Sequence, residues 1–262
     1  MEITVQGKKT FIATGGKPFD KDKPAVILIH GAGMDHTVWY LQSRYFAHHG
    51  RSLLAVDLPG HGRSEGPVID TIGGMADWIV AVMDELGIEK ASLAGHSMGA
   101  LISLETASRA PERINGIGLL GVAALMKGHP ELIGSAERND HLAFDLVNSW
   151  GHGKPAHIGG HQQPGLWMMG GVNRLLERSG PGVLHNDLVA CDQYETAAEA
   201  AQKVKCKATL ILGKLDMMAP PRNAKALQDN LADCETILID ACGHTMMIEK
   251  PGETLDAMKR VL

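Results

Sequence analysis

A serine, a histidine and an aspartate, far apart in this chain, are the residue types that together can make a hydroxyl nucleophilic. The serine with the most informative setting is Ser97, within Gly95-His96-Ser97-Met98-Gly99. A serine hydroxyl attacks poorly unless a base removes its proton. The G-x-S-x-G pattern suits such a serine because a sharp strand-to-helix turn forces unusual backbone angles and crowds the neighbouring positions, which glycines relieve. The turn leaves the hydroxyl exposed at a helix N-terminus, where backbone N–H groups favour developing negative charge. The pentapeptide alone is weak, since roughly one shuffled chain in seven of this composition would contain it. Its setting gives it weight. Ala91-Ser92-Leu93-Ala94 reads as a strand ending at the motif, and Met98 to Arg109 as a helix starting there.

Thirteen histidines compete for the role of base. His244 stands out because Gly243-His244 follows the last predicted strand, Thr236 to Ile239. Loops at the carboxyl ends of parallel strands share one edge of the sheet, which puts His244 within reach of Ser97. The base needs an acid to hold its tautomer and stabilise the imidazolium. Asp216 follows the preceding strand and is preferred to its rival Asp240, because an acid on a neighbouring loop can approach the far side of the imidazole. His30 and His61 read as loop-bracing residues, and the His96 side chain is expected to point into the packing around the turn. His152, His157 and His161 form a loose cluster, but its spacing matches no standard zinc motif and no cysteine or carboxylate interleaves, so no metal is expected.

The elements that must position these residues are legible as hydrophobic patterns. Ala25 to Ile29, Ser52 to Val56, Ile114 to Leu120 and Ala208 to Leu212 are near-continuous apolar runs, which suit strands buried on both faces of a parallel sheet. Ile3 to Val5 and Phe11 to Ala13 read as a short antiparallel hairpin at the edge. Helical patterns lie between the strands, over Val38 to His48, Ile72 to Leu86, Asn223 to Leu231 and Thr254 to Leu262. Strand alternating with helix predicts an α/β fold, a mostly parallel sheet with helices on both faces. From about Ala123 to Lys205 the rhythm breaks, and no convincing buried strand appears. That segment carries Trp150, Trp167, Met168 and Met169 and reads as a helical cap inserted over the end of the sheet. The expected division is a core of residues 1–122 and 206–262 and a cap of residues 123–205.

The chain order Ser97, Asp216, His244 resembles the α/β-hydrolase superfamily. Further motifs agree. His30-Gly31-Ala32-Gly33 looks like that family's oxyanion loop, and Trp39 follows at a spacing common in capped members. Asp57-Leu58-Pro59-Gly60-His61-Gly62-Arg63-Ser64 resembles its DxxGxGxS loop, and Ala219-Pro220 and Glu249-Lys250-Pro251 fall where the family has them. The resemblance covers nearly the whole chain outside the cap. With serine rather than aspartate at the turn, it implies acyl transfer to water through the triad. It also implies an oxyanion hole of backbone N–H groups from Ala32 and Met98, with Gly31 and Trp39 beside the substrate. Trp167 and Met168 could line an acyl pocket or pack the cap itself. The expected function is hydrolysis of a small to medium, largely apolar carboxylic ester through an acyl-enzyme. Cleavage of a lactone, an enol-lactone or a carbon–carbon bond by the same triad is the alternative, and a ligand-binding module without turnover is a further one.

Composition narrows the partners. Of 262 residues, 44% are hydrophobic and 21% charged, as in ordinary globular enzymes with a sizeable core. A net charge of −5 without any Lys/Arg-rich run gives no reason to expect nucleic acid or an anionic membrane. The start, MEITVQGKKTFIATGG, lacks the pattern of a secretory signal, and no apolar run is long enough to span a bilayer. Cys191, Cys206, Cys234 and Cys242 show no CxxC spacing and read as reduced thiols of a cytoplasmic protein. No cofactor is expected. The expected partners are a small-molecule ester and water, and the oligomeric state is left open, a homodimer included.

Overall fold

Residues whose side chains are apolar on both faces of a strand can be satisfied only between two layers, and the sheet is built on that condition. The structure, a computed structural model, describes residues 1–162 and 165–262. Among these, eight strands form one sheet: β1 (Glu2–Val5), β2 (Lys8–Ala13), β3 (Ala25–Ile29), β4 (Ser52–Val56), β5 (Ala91–His96), β6 (Ile114–Leu120), β7 (Lys207–Gly213) and β8 (Cys234–Ile239). Their spatial order is β1-β2-β4-β3-β5-β6-β7-β8, with β1 and β2 antiparallel at one edge and the rest parallel. The α/β class and the edge hairpin are therefore as the sequence pattern predicts.

β3 shows why. All five of its side chains are buried, with Ile27 and Ile29 entering one core cluster and Val26 and Leu28 the other. Each of these four larger side chains contributes roughly 1.5–3 kcal/mol on leaving water, and only a central strand with helices on both sides can bury every one. The first cluster is closed by α2 (Ile72–Glu85) and α3 (Met98–Arg109), the second by α1 (Ser43–His48), α11 (Met246–Glu249) and α12 (Pro251–Met258).

Three predicted helices differ from the observed ones. The stretch from Val38 to His48 is a 3-10 turn, His36–Trp39, followed by the separate helix α1. The Asp35 side chain caps that turn by accepting from Thr37 N, and the buried Gln42 donates to the Met247 carbonyl at 2.8 Å, so the chain is drawn inward between the two. The predicted helix Asn223–Leu231 is likewise a turn, Pro221–Ala224, then α10 (Lys225–Asn230). The last helix begins at Pro251, not Thr254, because proline at the first helical position lacks only an N–H that would be unpaired there.

Between β6 and β7 the chain forms α4 (Pro130–Glu137), α5 (His141–Gly151), α6 (Lys154–His157), α7 (Met168–Glu177), α8 (Val183–Gln193) and α9 (Ala197–Ala201). Ala197, Ala200 and Ala201 of α9 join the first core cluster, while Leu132, Val147, Leu176 and Leu184 of α4, α5, α7 and α8 join the second. Among the described residues no helix is long and apolar enough to cross a membrane.

The strand order reverses at β3. The chain steps from β3 out to β4, then returns past β3 to β5, so the loops leaving the carboxyl ends of β3 and β5 diverge and open a crevice, where ligands of open α/β sheets are bound. The loops along this edge are tied across it. Ser97 N donates to Leu120 O at 2.8 Å, Gly121 N to Ile211 O at 3.0 Å and Lys214 N to Ile239 O at 3.0 Å.

Candidate active site

Ser97 lies between β5 and α3 with φ 54° and ψ −115°. This positive φ is costly for a residue with a side chain, of the order of 1–3 kcal/mol, and persists only where the surroundings enforce it. Here the enforcement is steric. A Cβ at Gly95 would run into the Gly99 carbonyl, and one at Gly99 into the Ile29 carbonyl, so both glycines let β5, α3 and the end of β3 close up around the serine.

His244 sits on the loop after β8, with its backbone N–H and that of Thr245 both donating to Gly151 O at 2.9 and 3.0 Å. Its ring Nδ1–H donates to Asp216 Oδ2 at 2.7 Å. Asp216, on the loop after β7, holds its other oxygen against Met218 N at 2.9 Å and Ala219 N at 2.8 Å. Burial alone would push the Asp216 carboxyl up, but the His244 ring and the Ala219 N–H outweigh it and hold the group below the usual carboxylate range. His244 Nε2 is buried and has no hydrogen-bond partner among the described residues. Ser97 and His244 line the same cavity, of about 300 Å³, so the free nitrogen and the hydroxyl share one space. The rival acid Asp240 is exposed and pairs with Lys214 at 2.5 Å.

His96 is buried, as expected, but it packs on His244 with ring centroids 4.7 Å apart and also lines the cavity. Its Nε2–H donates to the His244 carbonyl at 3.0 Å, and burial together with the neighbouring His244 holds it well below the usual histidine range. A neutral His96 thus supports the His244 backbone without repelling a charge on its ring. Gly31 is required for this packing, since a Cβ there would lie 2.8 Å from His96 Nδ1.

A buried carboxylate that sequence reasoning placed only as part of a motif completes the arrangement. Glu249, on α11, accepts from Gly243 N at 3.0 Å, Gly153 N at 2.9 Å and Thr245 Oγ1 at 3.1 Å. It thereby fixes the loop on both sides of His244. Asp57 plays a similar part after β4, accepting from His36 N at 2.7 Å, His36 Nδ1 at 2.8 Å and Arg63 N at 2.9 Å. Asp35, His36 and Asp57 come close enough to surround a cation, but the Asp57 oxygens already face these N–H donors. His152, His157 and His161 do not pool their nitrogens. One ring nitrogen of each meets a different carbonyl, that of Asn148, His152 and Ile248 respectively.

The cavity is lined by a different set of side chains from those expected beside the substrate. Ala32 lines it, and Met98 opens α3 beside it with its side chain in the core. Gly31 does not line it, because the His96 ring fills the space beside it. Trp39 is fully buried in the core behind the loop. Trp167 is 74% exposed at the start of α7, and Met168 is buried within the insertion, so neither reaches the cavity. The apolar walls instead come from Leu132, Val147, Trp150, Leu184, Leu188 and the pair Met217-Met218. The signal that could have found them is helical spacing. Val147 and Trp150 are three apart on α5, and Leu184, Leu188 and Cys191 mark one face of α8 at i, i+4 and i+7.

Fold and site together define a hydrolase with a serine at the elbow between strand and helix. Residues 26–257 match the profile of the Alpha/beta hydrolase family, and the chain belongs to that family. A stretch of 101 residues is 38% identical to the dihydrolipoyllysine-residue acetyltransferase component of the acetoin cleaving system of Pseudomonas putida, covering 38% of this chain but only 27% of that protein. Over 255 residues, 94% of this chain and 80% of the relative, it is 25% identical to a protein of Bacillus subtilis (strain 168) described as carboxylesterase nap. The enol-lactonase from Burkholderia xenovorans LB400 shares the fold with a TM-score of 0.87 at 22% identity, over 99% of this chain and 98% of that one.

Proposed function

We propose that the protein hydrolyses carboxylic esters of small to medium, largely apolar acids by way of an acyl-enzyme on Ser97. The observation that carries this reading is the His244 ring, held by Asp216 at Nδ1 and left at Nε2 without a partner among the described residues, in the cavity that Ser97 lines. Ser97 Oγ attacks the ester carbonyl while His244 Nε2 takes its proton. Asp216 stabilises the resulting imidazolium. The carbonyl oxygen, now negative, is met by the N–H groups of Met98 and Ala32. Collapse expels the alcohol, which takes the proton from His244, and water repeats the sequence on the acyl-serine. These steps call on no cofactor.

The helical segment 123–205 acts in this reading as a cap, since it supplies Leu132, Val147, Trp150, Leu184 and Leu188 to the cavity wall. A cavity of about 300 Å³ suits a short or medium acyl group, not a long lipid chain. A lactone is cleaved by the same steps with the leaving alcohol still tethered to the acyl group. A cytoplasmic setting is supported by the four unpaired thiols. The test is covalent. A fluorophosphonate should label Ser97 alone, seen by mass spectrometry of the digest, and should abolish turnover of p-nitrophenyl butyrate in proportion. Labelling elsewhere, or turnover that survives full labelling, would refute the assignment.

A further inference from the structure

The strongest unexplained feature is a buried ion pair outside the triad. Asp187, on α8 of the insertion, and His61, on the loop after β4, are both almost fully buried and meet at 2.8 Å. Both ring nitrogens of His61 face acceptors, Nδ1 the Pro59 carbonyl at 3.0 Å and Nε2 the Asp187 Oδ2. A ring with an acceptor at each nitrogen satisfies both only as the imidazolium. Burial opposes that charge, but the Asp187 carboxylate outweighs burial and holds His61 above the usual histidine range.

The same Asp187 oxygen has a second donor. Gly33 N–H, in the loop after β3, reaches Oδ2 at 2.9 Å, while Oδ1 takes Asn186 Nδ2 at 3.2 Å. Gly33 is at φ 65°, and a Cβ there would lie 3.1 Å from Leu184, one turn back on α8. The helix therefore presses on this turn and also holds its amide. His30 closes the group from below. It donates from Nδ1 to Gly31 O at 2.9 Å, accepts from Leu58 N at 3.2 Å, and its ring lies tilted against that of His61 with centroids 4.9 Å apart. Neutral His30 and charged His61 are thus assigned opposite states by their partners.

We propose that Asp187 is a positioning residue for catalysis, its Oδ2 fixing the turn at Gly33 and so aiming the neighbouring Ala32 N–H at the oxyanion. The insertion then sets the rate of the chemical step as well as substrate choice. This rests on the ester-hydrolase reading, in which Ala32 N–H is an oxyanion donor. An oxygen that serves both a main-chain N–H and an imidazolium cannot be replaced by an amide. Asparagine either keeps an oxygen there, without the charge that holds His61, or turns an NH₂ against Gly33 N–H.

The test compares Asp187→Asn with wild type on p-nitrophenyl acetate, with active sites counted by fluorophosphonate labelling. Removing one oxyanion donor costs about 10²–10³ in kcat, and displacing one should cost part of that. The expected result is a loss of about 10- to 100-fold in kcat per labelled site, with KM within about threefold. The affinity for a trifluoromethyl ketone, whose hemiketal mimics the tetrahedral state, should fall by the same factor. Leu188→Ala, at the next residue of the same helix but lining the cavity, should instead move KM and chain-length preference. Unchanged kcat per labelled site in Asp187→Asn, or a kcat loss with ketone affinity intact, overturns the proposal and leaves the pair a fold-stabilising tie. Should Asp187→Asn yield no folded protein, His61→Gln decides. It keeps the carboxylate on Gly33 N–H but removes its counter-charge, so parallel losses of about tenfold in kcat and ketone affinity support the proposal and unchanged values refute it. Failure of wild type to label at serine would strike the ester-hydrolase reading itself, a result separate from these.

Discussion

The carboxyl edge of the sheet and the helical insertion meet in one cavity, but they hold their side chains by different means. Along the sheet edge, each group is fixed by short, specific contacts. Ser97 is set by two glycines and a bond to Leu120 O, Asp216 by two backbone N–H groups, and His244 by Asp216, Gly151 O and the Glu249-braced loop. In the insertion, Val147, Trp150, Leu184 and Leu188 face the cavity because they share a helix face with other packed apolar residues. Contacts of the first kind permit little change, since a hydrogen bond has one geometry and a buried unpaired group costs about 1–3 kcal/mol. Contacts of the second kind tolerate exchange among apolar residues of similar volume. One chain can therefore keep its reaction while its substrate range shifts.

Substitutions should separate the two regions by the size and kind of their effects. Ser97→Ala should lose roughly 10⁴- to 10⁶-fold in kcat, and His244→Ala about as much, with the double variant no worse than either. Additive losses would mean that the two residues do not act together. Asp216→Asn should cost less, about 10³- to 10⁴-fold, whereas Asp240→Asn, exposed and paired with Lys214, should stay within about twofold. Comparable damage at Asp240 would move the acid role there.

In the insertion the changes should be graded. Trp150→Ala removes a cavity wall and should shift the optimum of kcat/KM across p-nitrophenyl esters towards longer acyl chains, by about 1–3 kcal/mol per methylene at most. Trp167→Ala, outside the cavity, should leave that optimum in place. If the exposed tryptophan shifts it and the lining one does not, the cavity is not the acyl site.

The smallest effect concerns pH and belongs to the sheet edge. His30 is lowered from 6.5 to about 4 by burial and by the charge on His61. A histidine whose pKa is lowered on folding adds stability above its unfolded value and loses it as pH falls from about 6.5 towards 4. Between pH 7 and 5 that loss should be about 2 kcal/mol. Urea denaturation at the two pH values, for wild type and His30→Asn, measures it. The variant should show a smaller difference, and an equal one would mean that His30 titrates alike in both states.

The strands, and the grouping of Ser97, Asp216 and His244 at one edge of the sheet, were legible in the sequence because their constraints are local. A parallel central strand demands an unbroken apolar run, and β3, β4 and β6 fall where those runs do. A strained turn demands Gly95 and Gly99 on either side of Ser97. The cavity wall was not legible in this way. Trp167 and Met168 were drawn in by residue type, but which face of a helix meets the cavity depends on packing between elements far apart in sequence. Asp187 was missed for the same reason, since its partners Gly33 and His61 lie 154 and 126 residues away. Glu249 was seen only as part of a pattern, because what it does depends on Gly153, a residue of the insertion.

The carbonyl of Gly151, which receives the N–H groups of both His244 and Thr245, has a consequence for motion. It lies at the end of α5, so this helix cannot lift away without releasing the backbone of the residue after Gly243. An opening that disrupts His244 each time a substrate enters would dismantle the site it admits substrate to. Slow swinging of the whole insertion is therefore a poor route of entry. Met217, unbranched, 68% exposed and lining the cavity beside Asp216, is the kind of side chain whose rotamer changes would widen the cavity without that cost.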